Sequence, residues 1–268
     1  NDQLAIVTEY GDKNLGTFLH DSSASGGPPT AQRTAPPELD WEQKITLLLD
    51  IARGLHYLHT KGIVHGFLTP SNILMCQGRA KLSDFFISAG SLQNSGSKLA
   101  NAAANKTFTF EERLKLLRTP YYLAPELLND EAATKASDIY SFGIIMWEIF
   151  TMMRPYDGSN EFMTWTLKIK QEEARPWSEA QYNLLVKAKK DDVYGNGNMD
   201  DQRKQFLRLI KLCWAQDASD RVEIDKVIKL LRECSTKANS PFTALSLGAS
   251  VEAQEFKVAK YEKIKLVS

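Results

Sequence analysis

Val64-His65-Gly66-Phe67-Leu68-Thr69-Pro70-Ser71-Asn72-Ile73-Leu74 is the stretch on which the reading of this chain turns. Gly62, Gly66, Pro70 and Gly78 interrupt regular structure around it. Glycine admits backbone angles that other residues avoid, and proline fixes φ and lacks a donor. Between these breaks, Ile73–Met75 and Ala80–Leu82 read as short strands. Immediately upstream, Trp41 to Thr60 carries Ile45, Leu48, Ala52, Leu55 and Leu58 at helical spacing, with Asp40 placed as its N-cap. Immediately downstream, Ile87 to Lys106 is irregular and rich in Ser, Ala, Asn and Gly. A long helix therefore feeds a broken loop and a pair of short strands.

Further out, from Lys135 onwards, the pattern is helical. Ser137 to Thr151 is apolar on nearly every side, which predicts a helix buried in the middle of a helical body. Arg203–Trp214 and Val222–Arg232 are amphipathic and predict two more helices. Towards the start, Leu4–Val7 reads as a strand with no partner nearby in sequence, and Ser22–Pro37 as a flexible insertion. After Cys234 the composition shifts to Ser, Ala and Asn, and Glu255–Ser268 is basic and partly alternating.

Lys plus Arg number 33 and Asp plus Glu number 33, so the chain carries no net charge and no long-range pull towards nucleic acid or an anionic membrane. Its most apolar stretch, Gly143–Phe150, is too short to cross a bilayer and contains Glu148. Asn1-Asp2-Gln3 does not open a signal peptide. The 3 cysteines, Cys76, Cys213 and Cys234, are widely spaced, fit no zinc pattern and suit reduced thiols in a cytoplasmic protein.

Taken in order, the landmarks of this chain resemble a eukaryotic protein kinase from its hinge onward. Leu4-Ala5-Ile6-Val7-Thr8-Glu9-Tyr10 resembles the last strand of the N-lobe and the hinge, with Thr8 at the gatekeeper position. Val64 to Leu74 resembles the catalytic loop, and Lys81-Leu82-Ser83-Asp84-Phe85-Phe86 the strand leading into the metal-binding Asp-Phe-Gly. Arg118 to Glu126 resembles the end of an activation segment. Ser137 to Gly143 resembles the start of the central buried helix, and Cys213-Trp214 with Asp220-Arg221 the closing helices. Tyr140-Ser141-Phe142-Gly143 leans towards tyrosine-kinase-like families, and Thr119-Pro120-Tyr121-Tyr122 towards Ser/Thr kinases. The implied fold is α+β and kinase-like, a mainly α-helical C-lobe with a few short strands.

Against that pattern, three charged groups are absent together. The aspartate that orients and deprotonates the attacking hydroxyl is replaced by Phe67, whose ring cannot accept a proton. The preceding arginine, which grips an activation-loop phosphate, is Gly66, and the lysine that steadies the transferring phosphate is Thr69. The glycine after Asp-Phe is Phe86, which restricts the backbone there. No Gly-rich loop, strand lysine or helix glutamate precedes Leu4, so the sequence is expected to begin within the domain, without most of an N-lobe.

The resemblance also implies what is kept. Thr8, Glu9, Tyr10, Asn72 and Asp84 match nucleotide-binding positions, and Asn72 and Asp84 the Mg²⁺ ligands, so ATP and Mg²⁺ are the implied cofactors. His65 and Phe85 match an apolar stack through the lobe, Asp138 a buried carboxylate under the catalytic loop, and Glu126 and Arg221 a buried ion pair. Catalytic charges are lost and structural charges retained. This points to a regulatory or scaffolding pseudokinase in signalling with a protein partner, rather than nucleic acid or membrane. The alternative is an active ATP-dependent Ser/Thr kinase with an unusual catalytic loop. A His-Gly pair at 65–66 also resembles the kinase-homology domain of membrane guanylyl cyclases, but no cyclase segment accompanies it.

The expected organisation is residues 1–20 for the last N-lobe strand, hinge and helix start, and 21–38 for the insertion. The C-lobe would span 39–235, a linker 236–254 and a tail 255–268. Lys260-Tyr261-Glu262-Lys263-Ile264-Lys265-Leu266-Val267 resembles the first strand of another kinase domain, which makes a kinase in the same chain one expected partner. Ser91, Ser95, Ser97, Thr107 and Thr109 are hydroxyls open to phosphorylation in a surface loop. His56 and His59 are read as ordinary helix residues, since no third metal ligand accompanies them.

Overall fold

The computed structural model describes residues 9–20, 38–84, 120–129, 131–158, 162–171, 173–176 and 198–235. All of these lie in one compact unit ending at Ser235. The readings for Leu4–Val7, Thr8, Ser22–Pro37, Phe85, Phe86, Ile87–Lys106 and everything after Ser235 fall outside the described residues.

The fold is mainly helical with a small antiparallel sheet. Strand β1 (Lys13–Asn14) leads into helix α1 (Leu15–His20), and helix α2 follows at Trp41–Thr60. Strands β2 (Ile73–Cys76) and β3 (Arg79–Leu82) come next, then the short helix α3 (Pro125–Leu128). Helices α4 (Lys135–Thr151), α5 (Phe162–Gln171), α6 (Asn198–Cys213) and α7 (Ile224–Glu233) complete it. The sheet order is β1-β2-β3, with Leu74 opposite both Asn14 and Lys81. Gln77 (φ 51°) and Gly78 (φ 77°) turn the β2–β3 hairpin, with the two positive angles that a tight hairpin of this hand requires.

Helix α2 starts with a reciprocal capping box. The Asp40 carboxylate accepts from the Gln43 N–H, and Gln43 Oε1 accepts from the Asp40 N–H, both at 2.8 Å. Its buried stripe, Ile45, Leu48, Ala52 and Leu55, faces the core. Gly54 lets the helix approach β3, because a Cβ there would sit 3.0 Å from Leu82. The helix stops where Ile63 N–H bonds to Leu58 C=O and Gly62 takes φ +72°.

Helix α4 is enclosed from Ser137 to Ile149, and α2 and α6 pack directly against it. It begins two residues before the apolar run, because Thr134 and Ser137 cap it reciprocally. Its Gly143 permits close contact with α6, since a Cβ would meet Cys213 at 3.0 Å and the Trp214 nitrogen at 3.2 Å. Trp41, Phe150 and Phe206 join α2, α4 and α6 at ring separations of 5.4 to 6.1 Å. The Trp41 indole N–H donates to Cys234 C=O at 2.8 Å, tying in the end of α7.

Candidate functional site

Residues 63–72 run as loop and a single turn, Pro70–Asn72, between α2 and β2. Asp138, in the first turn of α4 and 1% exposed, underpins this loop. One of its oxygens accepts from the His65 N–H and the other from the Gly66 N–H, each at 2.8 Å. His59 Nε2 lies 2.8 Å from the oxygen that His65 uses. A carboxylate buried this deeply needs such donors, because an unpaired buried charge is costly. Gly66 meets the geometry with φ +72°, an angle strained for any residue with a Cβ.

His65 is fully buried. Burial holds its imidazole below the usual histidine range, against the opposing pull of Asp138. Its Nδ1 accepts from the Phe67 N–H at 3.3 Å, which leaves the ring proton on Nε2. The Phe67 ring packs against the hydrophobic core, and its carbonyl accepts from the Asn72 amide at 2.9 Å. Thr69 is buried at the base of the turn, and its carbonyl accepts from the Asn72 N–H. The Ser83 N–H donates to Asn72 C=O at 2.9 Å, so the end of β3 is fastened to the loop and Asp84 follows directly. Asp84 is exposed at φ +58°, with Ser83 Oγ 3.3 Å from its carboxylate.

The stretch before β1 lies along β2. Asp12 N–H bonds to Met75 C=O at 3.0 Å, and a Cβ at Gly11 would strike Leu74 at 2.9 Å. Glu9 pairs with Lys81 of β3, and Tyr10 is 81% exposed. Asn72, Asp84, Glu9 and Tyr10 thus sit on or beside the β2–β3 edge of the same unit, while Thr8 and Phe85 lie outside the described residues.

Arg221, whose side chain is 0% exposed, forks onto Glu126 of α3 with contacts of 2.6 and 2.8 Å. Its remaining N–H groups donate to the carbonyls of Ala136, Ala215 and Gln216. The guanidinium thereby joins α3, the start of α4 and the turn before α7.

Two clusters escape a reading of the sequence. His56 is partly exposed and pairs with Asp225, whereas His59 is buried against Asp138. Its position continues the stripe Leu48, Ala52 and Leu55, and that spacing is the signal that could have marked it. The second cluster is a buried triad. Glu148 of α4 accepts from Tyr122 Oη at 2.7 Å and meets His20 Nε2 of α1 at 2.7 Å. Burial and the Glu148 charge push the Tyr122 hydroxyl well above the usual tyrosine range.

Chemically, the loop offers no proton acceptor at position 67 and no cation at 66 or 69. Asn72 and Asp84 supply oxygen donors of the kind a hard divalent cation takes, since the Asn72 amide nitrogen is already engaged and leaves its oxygen available. Among the described residues, no group of three or more His, Cys, Asp or Glu could hold a metal. No described helix is long and apolar enough to cross a membrane.

A family profile described as protein tyrosine and serine/threonine kinase matches residues 1–231. A protein of Acanthamoeba polyphaga mimivirus, named as a serine/threonine-protein kinase/receptor, is 30% identical over 231 residues, covering 85% of this chain and 11% of that protein. The serine/threonine-protein kinase CTR1 of Arabidopsis thaliana is 27% identical over 242 residues, 89% of this chain and 24% of its own length. The serine/threonine/tyrosine-protein kinase HT1 of the same plant is 26% identical over 244 residues, 89% of this chain and 50% of its own. The chain therefore spans at most half the length of these relatives.

Proposed function

Because the chain belongs to the protein tyrosine and serine/threonine kinase family, we propose that it is a kinase domain without phosphate transfer, acting as a regulatory or scaffolding module on a protein partner. One observation carries this reading. Phe67 stands where the family places its catalytic aspartate, and its partly buried ring packs against the core. Losing general-base help costs about 10²–10⁴ in rate. The absent cations at Gly66 and Thr69 remove charge stabilisation as well. The groups that hold the loop in shape, Asp138, His59, His65 and the Glu126–Arg221 pair, remain engaged. Selection on a binding shape without selection on turnover produces this division.

Members of this family use ATP and Mg²⁺. Here the Asn72 oxygen and the Asp84 carboxylate are the groups that would hold the ion, and bound Mg²⁺-ATP would supply the phosphoryl group in an active member. These two residues are also what favours the second reading, an active Ser/Thr kinase with an unusual loop. The partner is a protein, since the chain has no net charge to draw it to nucleic acid. A second kinase domain in the same polypeptide is the partner suggested by Lys260–Val267. Three buried free thiols suit a reducing cytoplasm.

The test is thermal melting of the full-length protein with ATP, with and without Mg²⁺, beside a transfer assay. A ligand that binds the folded state raises the melting temperature. Scaffolding requires that any transfer by the full-length protein be unchanged in Asp84→Asn, whatever the melting shift. Transfer that disappears in Asp84→Asn would establish the second reading.

A further inference from the structure

The buried carboxylate of Asp50, on α2, is the centre of a cluster of guanidinium groups. Arg79, at the start of β3, forks onto it with contacts of 2.6 and 2.5 Å, and the Ala80 N–H donates to it at 3.4 Å. Arg53 lies one turn along α2 with its Nη1 3.6 Å from Asp50, too far for a hydrogen bond. The fork leaves part of the Arg79 donor set unused, and the Arg53 donors have no hydrogen-bond partner among the described residues. Both side chains reach solvent, Arg53 at 46% exposure and Arg79 at 60%.

Helix α7 brings a third guanidinium to this face. It runs antiparallel to α2, fixed by His56 Nε2 at 2.9 Å from Asp225 and by Ser235 Oγ donating to Glu42 at 2.8 Å. Arg53 stands one turn before His56 along this seam. Lys229 and Arg232 follow Asp225 at the spacing that keeps them on its stripe of α7. Arg232 is exposed and has no ion pair among the described residues. Burial lowers the Arg53 guanidinium from its usual range; Asp50 opposes this, and the charges of Arg232 and Arg79 add to it. The other acids nearby do not cancel the cluster. Asp225 is engaged by His56, and Glu233 follows Arg232 by one position, as Lys226 follows Asp225, about 100° round the helix.

We propose that Arg53, Arg79 and Arg232 form a docking surface for a segment of a protein partner that carries phosphoserine or phosphothreonine. Three arginines over one carboxylate leave two positive charges, and a phosphomonoester carries about −1.5 to −2 at neutral pH. Planar guanidinium forks match phosphate oxygens in pairs. A carboxylate of single charge neutralises only half of the excess. A nucleic acid presents a row of phosphates, which Asp225 and Glu233 at either end of the cluster disfavour. The surface shares no residue with the loop at 63–72 or with Asp84, so it does not depend on whether phosphate transfer is lost.

The probes are the capped tripeptide Ala-phosphoserine-Ala, its unphosphorylated form, inorganic phosphate and a short oligothymidylate. Each is titrated into the full-length protein and followed by calorimetry and melting temperature. The phosphopeptide should saturate at millimolar concentration, and the unphosphorylated form should not. Arg232→Glu should weaken the phosphopeptide at least about fivefold and Arg53→Gln at least about twofold, the range of exposed charge contacts. Lys168→Glu, the same charge reversal on α5, should leave it unchanged. Arg53 and Arg232 are both exposed, so the variants are expected to fold, and their ligand-free melting curves check this. Failure of the phosphopeptide to saturate, or equal binding by the parent and Arg232→Glu, overturns the proposal. Tighter binding of inorganic phosphate or of the oligothymidylate than of the phosphopeptide overturns the assignment to a protein partner.

Discussion

Replacing Gly66 by alanine isolates the backbone requirement of the loop. Gly66 sits at φ +72°, and its N–H is committed to Asp138 at 2.8 Å. An L-residue placed there pays about 1–2 kcal/mol for the left-handed conformation. It cannot escape by returning to negative φ without surrendering a hydrogen bond to a buried carboxylate, which costs about 1.5–3 kcal/mol. The stiffer unfolded chain of the alanine variant returns about 0.4–1 kcal/mol. The net expectation is a loss of about 1 kcal/mol, or roughly 2–4 °C in melting temperature for a domain of this size. Gly62→Ala is the control, with the same φ of +72° and no atom within 4 Å of the added methyl. It should lose a similar amount in melting temperature but leave amide exchange at His65 and Gly66 unchanged, whereas Gly66→Ala should accelerate it. A Gly66→Ala protein as stable as the parent, with unaltered exchange, would refute the claim that Asp138 pins this loop in a conformation suited to glycine. The same strain would attend Gly66→Arg, so the family's arginine cannot be restored here without a stability cost.

Other outcomes follow from the same contacts. Arg221→Ala should cost about 3–5 kcal/mol, roughly 6–20 °C in melting temperature, because it leaves the Glu126 carboxylate facing the carbonyls that Arg221 now satisfies; a loss under about 1 kcal/mol would contradict the buried fork. His65 has its folded value depressed below the ordinary 6.5, so the folded state binds fewer protons there than the unfolded one. That contribution is full above about pH 6.5 and shrinks as pH falls below it, and melting curves from about pH 7.5 to 5.5 should decline less steeply in His65→Asn than in the parent. Burial pushes the Cys234 thiol up to about 12 and Cys213 higher still. With Cys76 also buried, a thiol reagent should react with none of the three in the native unit and with all of them after denaturation.

Helix α2 is fully legible in the sequence. Its apolar residues recur every three or four positions, Asp40 supplies a cap, and Gly62 stops it, all of them local signals. The central helix is legible as buried because no polar face interrupts Ile139 to Phe150, and the helical pattern from Lys135 onwards matches its start. The Thr134–Ser137 box that sets it involves hydroxyls without an apolar pattern. Strand β1 escapes notice because two residues cannot display alternation, and it exists only through its pairing with β2. The site divides in the same way. Phe67, Gly66 and Thr69 can be read as replacements within a contiguous motif. The His20–Glu148–Tyr122 triad cannot, since it joins residues 128 and 26 positions apart that no local rule connects. His59 lies between these cases: its spacing marks a buried face, but its partner Asp138 is 79 positions away.

The central claim is that Phe67 and its neighbours leave this kinase-family domain unable to transfer phosphate. Its most direct test is the rate of γ-phosphate transfer from Mg²⁺-ATP by purified full-length protein, to itself and to a generic peptide hydroxyl, against the Asp84→Asn variant. Parent and variant are expected to give the same background rate. A parent rate well above that background, abolished by Asp84→Asn, would contradict the claim.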